Sequence, residues 1–226
     1  MYEFVPWSEF LPRFRWRQGE HVVVIGRTGN GKTTLISRIV GKRKHVAVMV
    51  TKLYDPTFRR EFPSHQWDIQ RAWKPSGLTP RVLLWPDHKG DLRESKEAQR
   101  GVFRDALNKI YRDRGWCVVM DEAHWMTTEL GLGPELAMYQ HQARSSGISV
   151  VTGVQRPSHI PVITYGAASH AFIGRQNEPG DLKRLANLGG VNAKELAAAV
   201  LALPKHEWIY VDNVSNTPPI RTRVEL

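Results

Sequence analysis

The sequence contains a glycine-rich stretch between an apolar run and an amphipathic segment, and it reads Gly26-Arg27-Thr28-Gly29-Asn30-Gly31-Lys32-Thr33-Thr34. The apolar run before it, His21–Ile25, has the composition of a strand that is buried on both faces. After it, apolar residues recur at helical spacing as far as Gly41. Glycines at such a junction let backbone N–H groups turn toward an anion, and the helix N-terminus adds partial positive charge. Residues 26–34 are therefore predicted to bind phosphate.

The same stretch matches G-x-x-x-x-G-K-[ST], the Walker A pattern of nucleotide-binding loops. Lys32 is expected to reach the β- and γ-phosphates of ATP, and the Thr33 hydroxyl is expected to bind Mg²⁺. The alternative is a glycine-rich turn with a coincidental lysine, and the flanking strand and helix patterns argue against it. ATP and Mg²⁺ are thus the predicted ligands.

A second motif follows the apolar run Trp116–Met120, which leads directly into Asp121-Glu122. A buried strand that ends in an acid is typical of the Walker B motif, in which Asp121 would hold Mg²⁺. Because neighbouring residues on a strand face opposite sides, Glu122 would point elsewhere and suits a general base acting on water. The pair predicts an ATP hydrolase. The alternative is a helix N-cap followed by an acid in the first turn.

Two further catalytic candidates flank the apolar run over residues 148–154. Gln155 follows the run, and its amide both donates and accepts, which suits a sensor of the γ-phosphate or its attacking water. Arg144 precedes the run at the end of a predicted helix, from where it would reach the nucleotide of a neighbouring subunit. Arg156 is the rival for that role, and a surface ion pair is the alternative for either arginine.

Apolar runs alternate with helical patterns along the whole chain. Strands are predicted over residues 21–25, 46–50, 81–85, 116–120, 148–154 and 170–173, with a terminal hairpin of 207–211 and 220–224. Helices are predicted over residues 32–41, 94–112, 134–144, 180–188 and 192–201. This alternation predicts an α/β fold with a mostly parallel central sheet flanked by helices.

The length of 226 residues predicts a single domain. Residues 1–17 are expected to form a lead-in to it, and residues 175–226 its C-terminal helices and hairpin. The stretch 52–80 is rich in proline and is predicted to be an irregular loop.

The chain has 32 Lys and Arg residues against 22 Asp and Glu, a net charge of +10. This excess favours a polyanionic partner, because each phosphate that a cation neutralises releases counterions. The alternative is a solvated basic surface. Candidate DNA contacts are Lys89 and Arg93, and Lys52, Arg59 and Arg60 are weaker candidates.

The cysteine content and the hydropathy of the chain indicate the cellular compartment in which the protein is expected. The single cysteine, Cys117, excludes a disulfide framework and is typical of a reducing compartment. No apolar stretch approaches the roughly 20 residues of a membrane span. The first residues carry Glu3 and Glu9 and lack the apolar core of a signal peptide. A cytoplasmic protein without an integral membrane segment is therefore expected.

Taken together, these motifs resemble the FtsK/HerA superfamily of ring-forming, DNA-translocating P-loop ATPases. The matching residues are Gly26–Thr33, Val118–Glu122 and the segment from Arg144 to Pro157. The resemblance implies a RecA-like P-loop NTPase fold of the ASCE type. It also implies a homo-oligomeric ring, a hexamer or a pentamer, with double-stranded DNA as its partner.

Within that superfamily the sequence is similar to the genome-packaging ATPases of membrane-containing icosahedral viruses. That similarity implies a packaging motor in the host cytoplasm or at the virion vertex, with a viral portal or vertex protein as a further partner. The alternatives are a plasmid conjugation-type or helicase-like ATPase and a Zot-like phage assembly ATPase. A nucleotide-gated switch is a non-enzymatic alternative, and Glu122 argues against it because a switch needs no general base.

Overall fold

The computed structural model describes residues 2–74, 79–88, 90–185, 188, 191–215 and 217–225, and these form one central sheet with helices packed against it. The described strands number ten, in the sheet order β1-β10-β9-β8-β2-β7-β6-β3-β5-β4. In chain order they are β1 (Glu3–Phe4), β2 (His21–Ile25), β3 (Val46–Met49), β4 (Asp68–Gln70), β5 (Arg81–Leu84), β6 (Cys117–Met120), β7 (Ser149–Val154), β8 (Ala168–Gly174), β9 (Glu207–Asp212) and β10 (Ile220–Arg223).

The described strands from β8 to β4 in the sheet order are all parallel to one another. They end at one edge of the sheet, called here the carboxyl edge, and begin at the opposite one, the amino edge. Strand β9 is antiparallel to β8 and forms an antiparallel hairpin with β10, which pairs with β1 in parallel. The predicted α/β class, with a mostly parallel sheet and a terminal hairpin, is confirmed.

The described α-helices are α1 (Trp7–Arg13), α2 (Lys32–Val40), α3 (Pro56–Glu61), α4 (Leu92–Asp113), α5 (Gly133–Gln142), α6 (Ile163–Gly166), α7 (Pro179–Leu185) and α8 (Ala193–Leu201). Helix α4 begins two residues earlier than predicted, because the Asp91 carboxylate accepts hydrogen bonds from the N–H groups of Arg93 and Glu94 and caps it. Among the helices described, none combines the length and the apolar character that crossing a membrane requires.

Strand β2 illustrates why the sheet is covered on both faces. Val22 and Val24 lie in one apolar cluster with Leu35 of α2, whereas Val23 and Ile25 lie in a different one. These four strand residues are at most 1% exposed. Because side chains alternate along a strand, an unbroken apolar run needs packing partners on both sides of the sheet.

The prediction of an irregular loop over residues 52–80 is wrong, because this stretch contains α3 and β4. The Asp55 carboxylate accepts hydrogen bonds from the N–H groups of Thr57 and Phe58 at 2.9 and 3.1 Å, and Pro56 occupies the first turn of the helix. Strand β4 pairs with β5 at the end of the sheet. Both elements are too short for a clear apolar period. Residues 75–78 lie outside the described residues.

The segment expected to be a lead-in includes β1 and α1, which are anchored by aromatic side chains. The Phe10 ring lies 5.7 Å from the Phe172 ring and 5.0 Å from the Tyr210 ring, between centroids. Phe14 contacts the same two rings at 5.5 and 5.6 Å. This cluster attaches the N-terminal segment to strands β8 and β9.

We predict that Phe10→Ala lowers the free energy of unfolding by about 3–5 kcal/mol, because it empties a site in which Phe10 is 2% exposed. Phe4→Ala is the matched control, since Phe4 is 43% exposed and its loss should cost less than about 1 kcal/mol. Urea unfolding followed by tryptophan fluorescence measures both. Equal effects of the two substitutions would contradict the anchoring role.

Candidate nucleotide-binding site

The loop predicted to bind phosphate connects β2 to α2 at the carboxyl edge. Gly29 and Gly31 have φ values of +77° and +86°, in the left-handed region that favours glycine. At Gly26 a Cβ atom would lie 2.9 Å from the Trp208 ring, so a side chain does not fit there. No described side chain caps α2, and its first N–H groups are therefore available to an anion.

Two further residues of the loop attach it to neighbouring elements. Thr34 is buried, and its hydroxyl donates to Oε1 of Glu61 in α3 at 3.1 Å. Asn30 is also buried, and its side-chain oxygen accepts from the His206 N–H at 3.4 Å. Arg27 is exposed. The loop is thus supported by α3 on one side and by the start of the terminal hairpin on the other.

Lys32 begins α2 and lies close to both acids of the predicted Walker B motif. It is 8% exposed, and this burial lowers its pKa, while the negative charges of Asp121 and Glu122 act in the opposite direction. Because little water screens a buried ammonium group, it attracts a phosphate more strongly than an exposed one does.

Thr33 and Asp121, the predicted metal-binding pair, are in direct contact. The Thr33 hydroxyl donates to Oδ2 of Asp121 at 2.8 Å. Asp121 is 3% exposed, and its other oxygen, Oδ1, is buried without a hydrogen-bond partner among the described residues. Burial raises the pKa of Asp121, and the charge of Lys32 opposes that rise. A hydroxyl beside a carboxylate with a free buried oxygen is a donor set that fits Mg²⁺.

Gly153 in β7 is a site residue that the sequence patterns did not reveal. A Cβ atom at this position would lie 2.4 Å from the Asp121 carbonyl oxygen and 2.6 Å from Oδ1 of Asp121. The glycine therefore makes room for the carboxylate on the neighbouring strand. The available signal was a glycine inside an otherwise apolar strand, which often marks a close approach.

Glu122 and Gln155 lie together, although 33 residues separate them in the chain. The Gln155 amide nitrogen donates to Oε2 of Glu122 at 2.7 Å. Its amide oxygen accepts from the Thr28 hydroxyl at 3.0 Å, so Gln155 bridges the acid and the phosphate loop. This contact follows from the sheet order, in which β7 lies between β2 and β6.

Lys52 lies in the site, whereas the sequence suggested it as a weak candidate for DNA contact. Its Nζ is 3.2 Å from Oε1 of Glu122 and 3.2 Å from Oδ2 of Asp55. Burial acts to lower the pKa of Lys52, but the two carboxylates outweigh it and the pKa is raised. With Gln155 on the other oxygen, both carboxylate oxygens of Glu122 are occupied. The sequence pattern that could have placed Lys52 in the site is its position just after β3, which ends at the carboxyl edge.

The two candidate arginines lie at opposite edges of the sheet. Arg144 precedes β7 and is exposed at the amino edge. The six residues of β7 span about 20 Å, so Arg144 does not reach the cleft of its own chain. Arg156 follows β7 and its Nε donates to Oδ2 of the buried Asp181 at 2.7 Å. Arg156 thus forms the ion pair that was the alternative reading of this residue.

The other described DNA candidates from the sequence, Arg59, Arg60 and Arg93, lie at the carboxyl edge. Lys89 lies outside the described residues. Arg93 pairs with Glu97 at 3.3 Å, and both side chains are largely exposed. Arg60 pairs with Glu61 at 3.0 Å beside the nucleotide cleft. Arg59 lies 5.2 Å from the centre of the Tyr54 ring. They do not form a common surface of free cations.

Sheet order, phosphate loop and acid pair together define a P-loop NTPase fold of the RecA-like type. Solved structures agree with this. The DNA-packaging ATPase B204 from Sulfolobus turreted icosahedral virus is similar over 93% of this chain and 100% of its own, with 18% identity and a TM-score of 0.63. VirB4 of Thermoanaerobacter pseudethanolicus is similar over 91% and 89%, with 10% identity and a TM-score of 0.66.

A third similar structure is the conjugation coupling protein TcpA of pCW3, over 91% of this chain and 60% of its own, with 14% identity and a TM-score of 0.55. No protein-family profile matches the sequence, and no curated protein matches it. At sequence identities of 10–18%, this structural similarity establishes the fold of the chain. The predicted resemblance to viral genome-packaging ATPases is therefore confirmed at the level of structure.

We predict that Gly153→Ala destabilises the protein by about 1–3 kcal/mol, because the new methyl group displaces the Asp121 carboxylate. Gly166→Ala is the matched control. No atom lies within 4 Å of a Cβ at Gly166, so its stability should change by less than about 1 kcal/mol. Urea unfolding compares the two, and a Gly153→Ala protein as stable as the wild type would contradict the steric argument.

Proposed function

We propose that this chain is an ATP-hydrolysing motor that moves double-stranded DNA, and that its role is viral genome packaging. The observation that carries the proposal is the convergence of Lys32, Thr33, Asp121 and Glu122 in one cleft at the carboxyl edge. That set combines phosphate-binding, metal-binding and water-activating groups. The likeness to B204 extends over the whole of that chain, which supports packaging over the other roles.

The binding part of the proposal assigns a task to each group. The N–H groups of the loop and Lys32 would hold the β- and γ-phosphates of ATP. Thr33 and Asp121 would hold Mg²⁺, which supplies charge neutralisation at the phosphate oxygens. The positive end of the α2 dipole adds to this field, since it points at the same place.

The hydrolytic part rests on Glu122. A water molecule attacks the γ-phosphorus, its proton passes to the Glu122 carboxylate, and ADP is the leaving group. Gln155 would orient that carboxylate through its hydrogen bond of 2.7 Å. Lys52 holds the other oxygen of Glu122, and an arriving γ-phosphate competes for the same ammonium group. Binding of ATP would therefore free the base that activates the attacking water.

A conjugation-type ATPase is the second candidate. TcpA and VirB4 support it, because both have the same fold at TM-scores of 0.55 and 0.66. Both candidates predict ATPase activity that double-stranded DNA stimulates. Packaging further predicts binding to a portal or vertex protein of a virion, which pull-down with virion proteins tests.

We predict that Lys32→Ala and Glu122→Gln fail in different ways. Lys32→Ala should weaken ATP binding by about tenfold or more, because it removes a charged phosphate contact. Glu122→Gln should still bind ATP but hydrolyse it roughly 10²–10⁴-fold more slowly, since it removes the general base. Calorimetric ATP binding and phosphate release separate the two effects.

Glu97→Gln is the control for Glu122→Gln. It removes the same negative charge, but from an exposed position on α4 that lies away from the cleft. It should bind and hydrolyse ATP like the wild type. Wild-type hydrolysis by Glu122→Gln would show that another group accepts the proton.

We further propose that the chain works as a ring in which Arg144 acts on the nucleotide of the neighbouring subunit. Its position supports action between subunits, because the length of β7 separates it from its own cleft. A neighbouring arginine would stabilise charge on the γ-phosphate in the transition state, an effect of about 10³-fold or more where it occurs.

We predict that Arg144→Ala abolishes hydrolysis without affecting monomer folding or ATP binding. Mixing Arg144→Ala subunits with Glu122→Gln subunits should then restore part of the activity, since some interfaces combine an intact base with an intact arginine. Phosphate release from rings shown to be mixed is the measurement. Rings that stay inactive would exclude action between subunits.

A further inference from the structure

Most of the excess positive charge of the chain lies in four segments, each of which directly precedes a strand of the sheet. Residues 13–20, 41–45, 111–116 and 143–148 contain nine arginines and lysines but only two carboxylates, against a net charge of +10 for the chain. The cations are Arg13, Arg15, Arg17, Lys42, Arg43, Lys44, Arg112, Arg114 and Arg144. We call this surface the cationic edge. All of these residues except Arg43 are exposed.

The sheet order brings the four segments side by side. They precede β2, β3, β6 and β7, which are parallel and adjacent in the order β2-β7-β6-β3. Neighbouring strands lie about 4.8 Å apart, so the four strand starts span roughly 15 Å along the amino edge. Sequence distance hides this surface, because more than 120 residues separate Arg17 from Arg144.

The Gln18 side chain links the four segments through hydrogen bonds. Its amide nitrogen donates to the carbonyl oxygens of Gly115, at 2.9 Å, and of Gly147. Its amide oxygen accepts from Arg43 at 3.0 Å. One side chain thus links all four segments, so they are joined to one another rather than forming independent loops.

Most cations of this edge form no ion pair or side-chain hydrogen bond with a described residue, the exceptions being Arg13, which pairs with Glu9 at 3.7 Å, and Arg43, which donates to Gln18. Arg15, Lys42, Lys44, Arg112 and Arg114 form no ion pair or side-chain hydrogen bond with any described residue. The two carboxylates of the segments do little to offset them. Glu20 is buried and bonded to His170 and to the Arg17 backbone, and Asp113 is a single exposed acid.

Backbone strain marks one of these positions. Arg114 follows α4 with φ of +60°, in the region that favours glycine, and Gly115 follows it with φ of +69°. A residue with a side chain costs of order 1 kcal/mol at such a φ. Arg114 is exposed at the end of α4 and forms no ion pair or side-chain hydrogen bond with a described residue.

We propose that the cationic edge is the surface that binds the phosphate backbone of double-stranded DNA. This inference rests on the proposed function, which names DNA as the partner but not the surface that contacts it. Unpaired cations repel one another, and a polyanion bound beside them offsets that repulsion. Arginines also suit phosphate better than lysines do, because the guanidinium group donates in a fork.

Local spacing fits this partner. Arg15 and Arg17 alternate with the buried Phe14 and Trp16, as in an extended chain, which places the two arginines about 6.8 Å apart. DNA carries one phosphate per strand for about every 3.4 Å of axis, so two arginines separated on this scale can each contact a different phosphate. Recognition of phosphates alone carries no sequence information, so binding should be independent of sequence.

The test compares two variants that lose the same charge. The edge variant carries Arg15→Gln, Lys44→Gln, Arg112→Gln and Arg114→Gln. The control variant carries Arg93→Gln, Lys183→Gln, Lys194→Gln and Arg223→Gln, all exposed and outside the cationic edge. Arg144 is unchanged in both, because its role toward a neighbouring nucleotide is tested separately.

Binding of a labelled duplex of about 30 base pairs is measured between about 50 and 200 mM salt. The edge variant should bind roughly 10- to 100-fold more weakly at low salt, and the slope of log affinity against log salt should become shallower by about 3 to 4. The control variant should retain most of the wild-type affinity and slope. Basal ATPase activity without DNA should be the same in all three proteins, and only the edge variant should lose stimulation by DNA.

Any other outcome would overturn the inference, and the outcomes can be told apart. Equal losses in the two variants would mean that net charge alone matters, and a larger loss in the control would move the contact to the carboxyl edge. An edge variant that binds DNA normally but no longer assembles would assign the surface to contacts between subunits. A wild-type protein that binds no DNA would refute the proposed function itself, and with it this inference.

Discussion

Burial of the Asp121 carboxylate constrains the nucleotide cleft more than any other interaction. Without compensation a buried charge is costly, and three neighbours reduce that cost in different ways. Thr33 donates a hydrogen bond of 2.8 Å, Lys32 contributes an opposite charge, and Gly153 leaves the space that the carboxylate occupies. They come from α2 and β7, whereas Asp121 follows β6. Only a parallel arrangement with β7 between β2 and β6 brings all of them to one edge.

Charge balance in the cleft follows from the same arrangement. Lys32 and Lys52 lie beside Asp121, Glu122 and Asp55, so the positive side chains are already offset by negative ones. A triphosphate adds further negative charge and needs compensation that these lysines do not supply. The free N–H groups of α2 would supply part of it, and a metal ion held by Asp121, as proposed, would supply the rest at the same end of the sheet.

The helices give the two edges of the sheet opposite partial charges, because helix N-termini and C-termini lie at different edges. Helix α2 begins at the carboxyl edge, where its free N–H groups favour anions. Helices α2 and α4 end at the amino edge, where free carbonyl groups favour cations. Lys42 and Lys44 follow the end of α2, and Arg112 and Arg114 lie at the end of α4. A βαβ fold therefore produces a phosphate site on one edge and stabilises positive side chains on the other.

Sequence patterns alone were sufficient for the class of fold and for the places of the glycine-rich loop and of the acid pair at the ends of strands. These features are local: a run such as His21–Ile25 must be buried on both faces, and the glycines of the loop adopt backbone angles that other residues avoid. Short elements such as α3 and β4 were missed, because their residues are too few to show a period. The positions of Lys52, Gly153 and the cationic edge were decided by the tertiary structure. Each depends on which strands are neighbours and where helices end, and the sheet order joins residues that no local pattern connects.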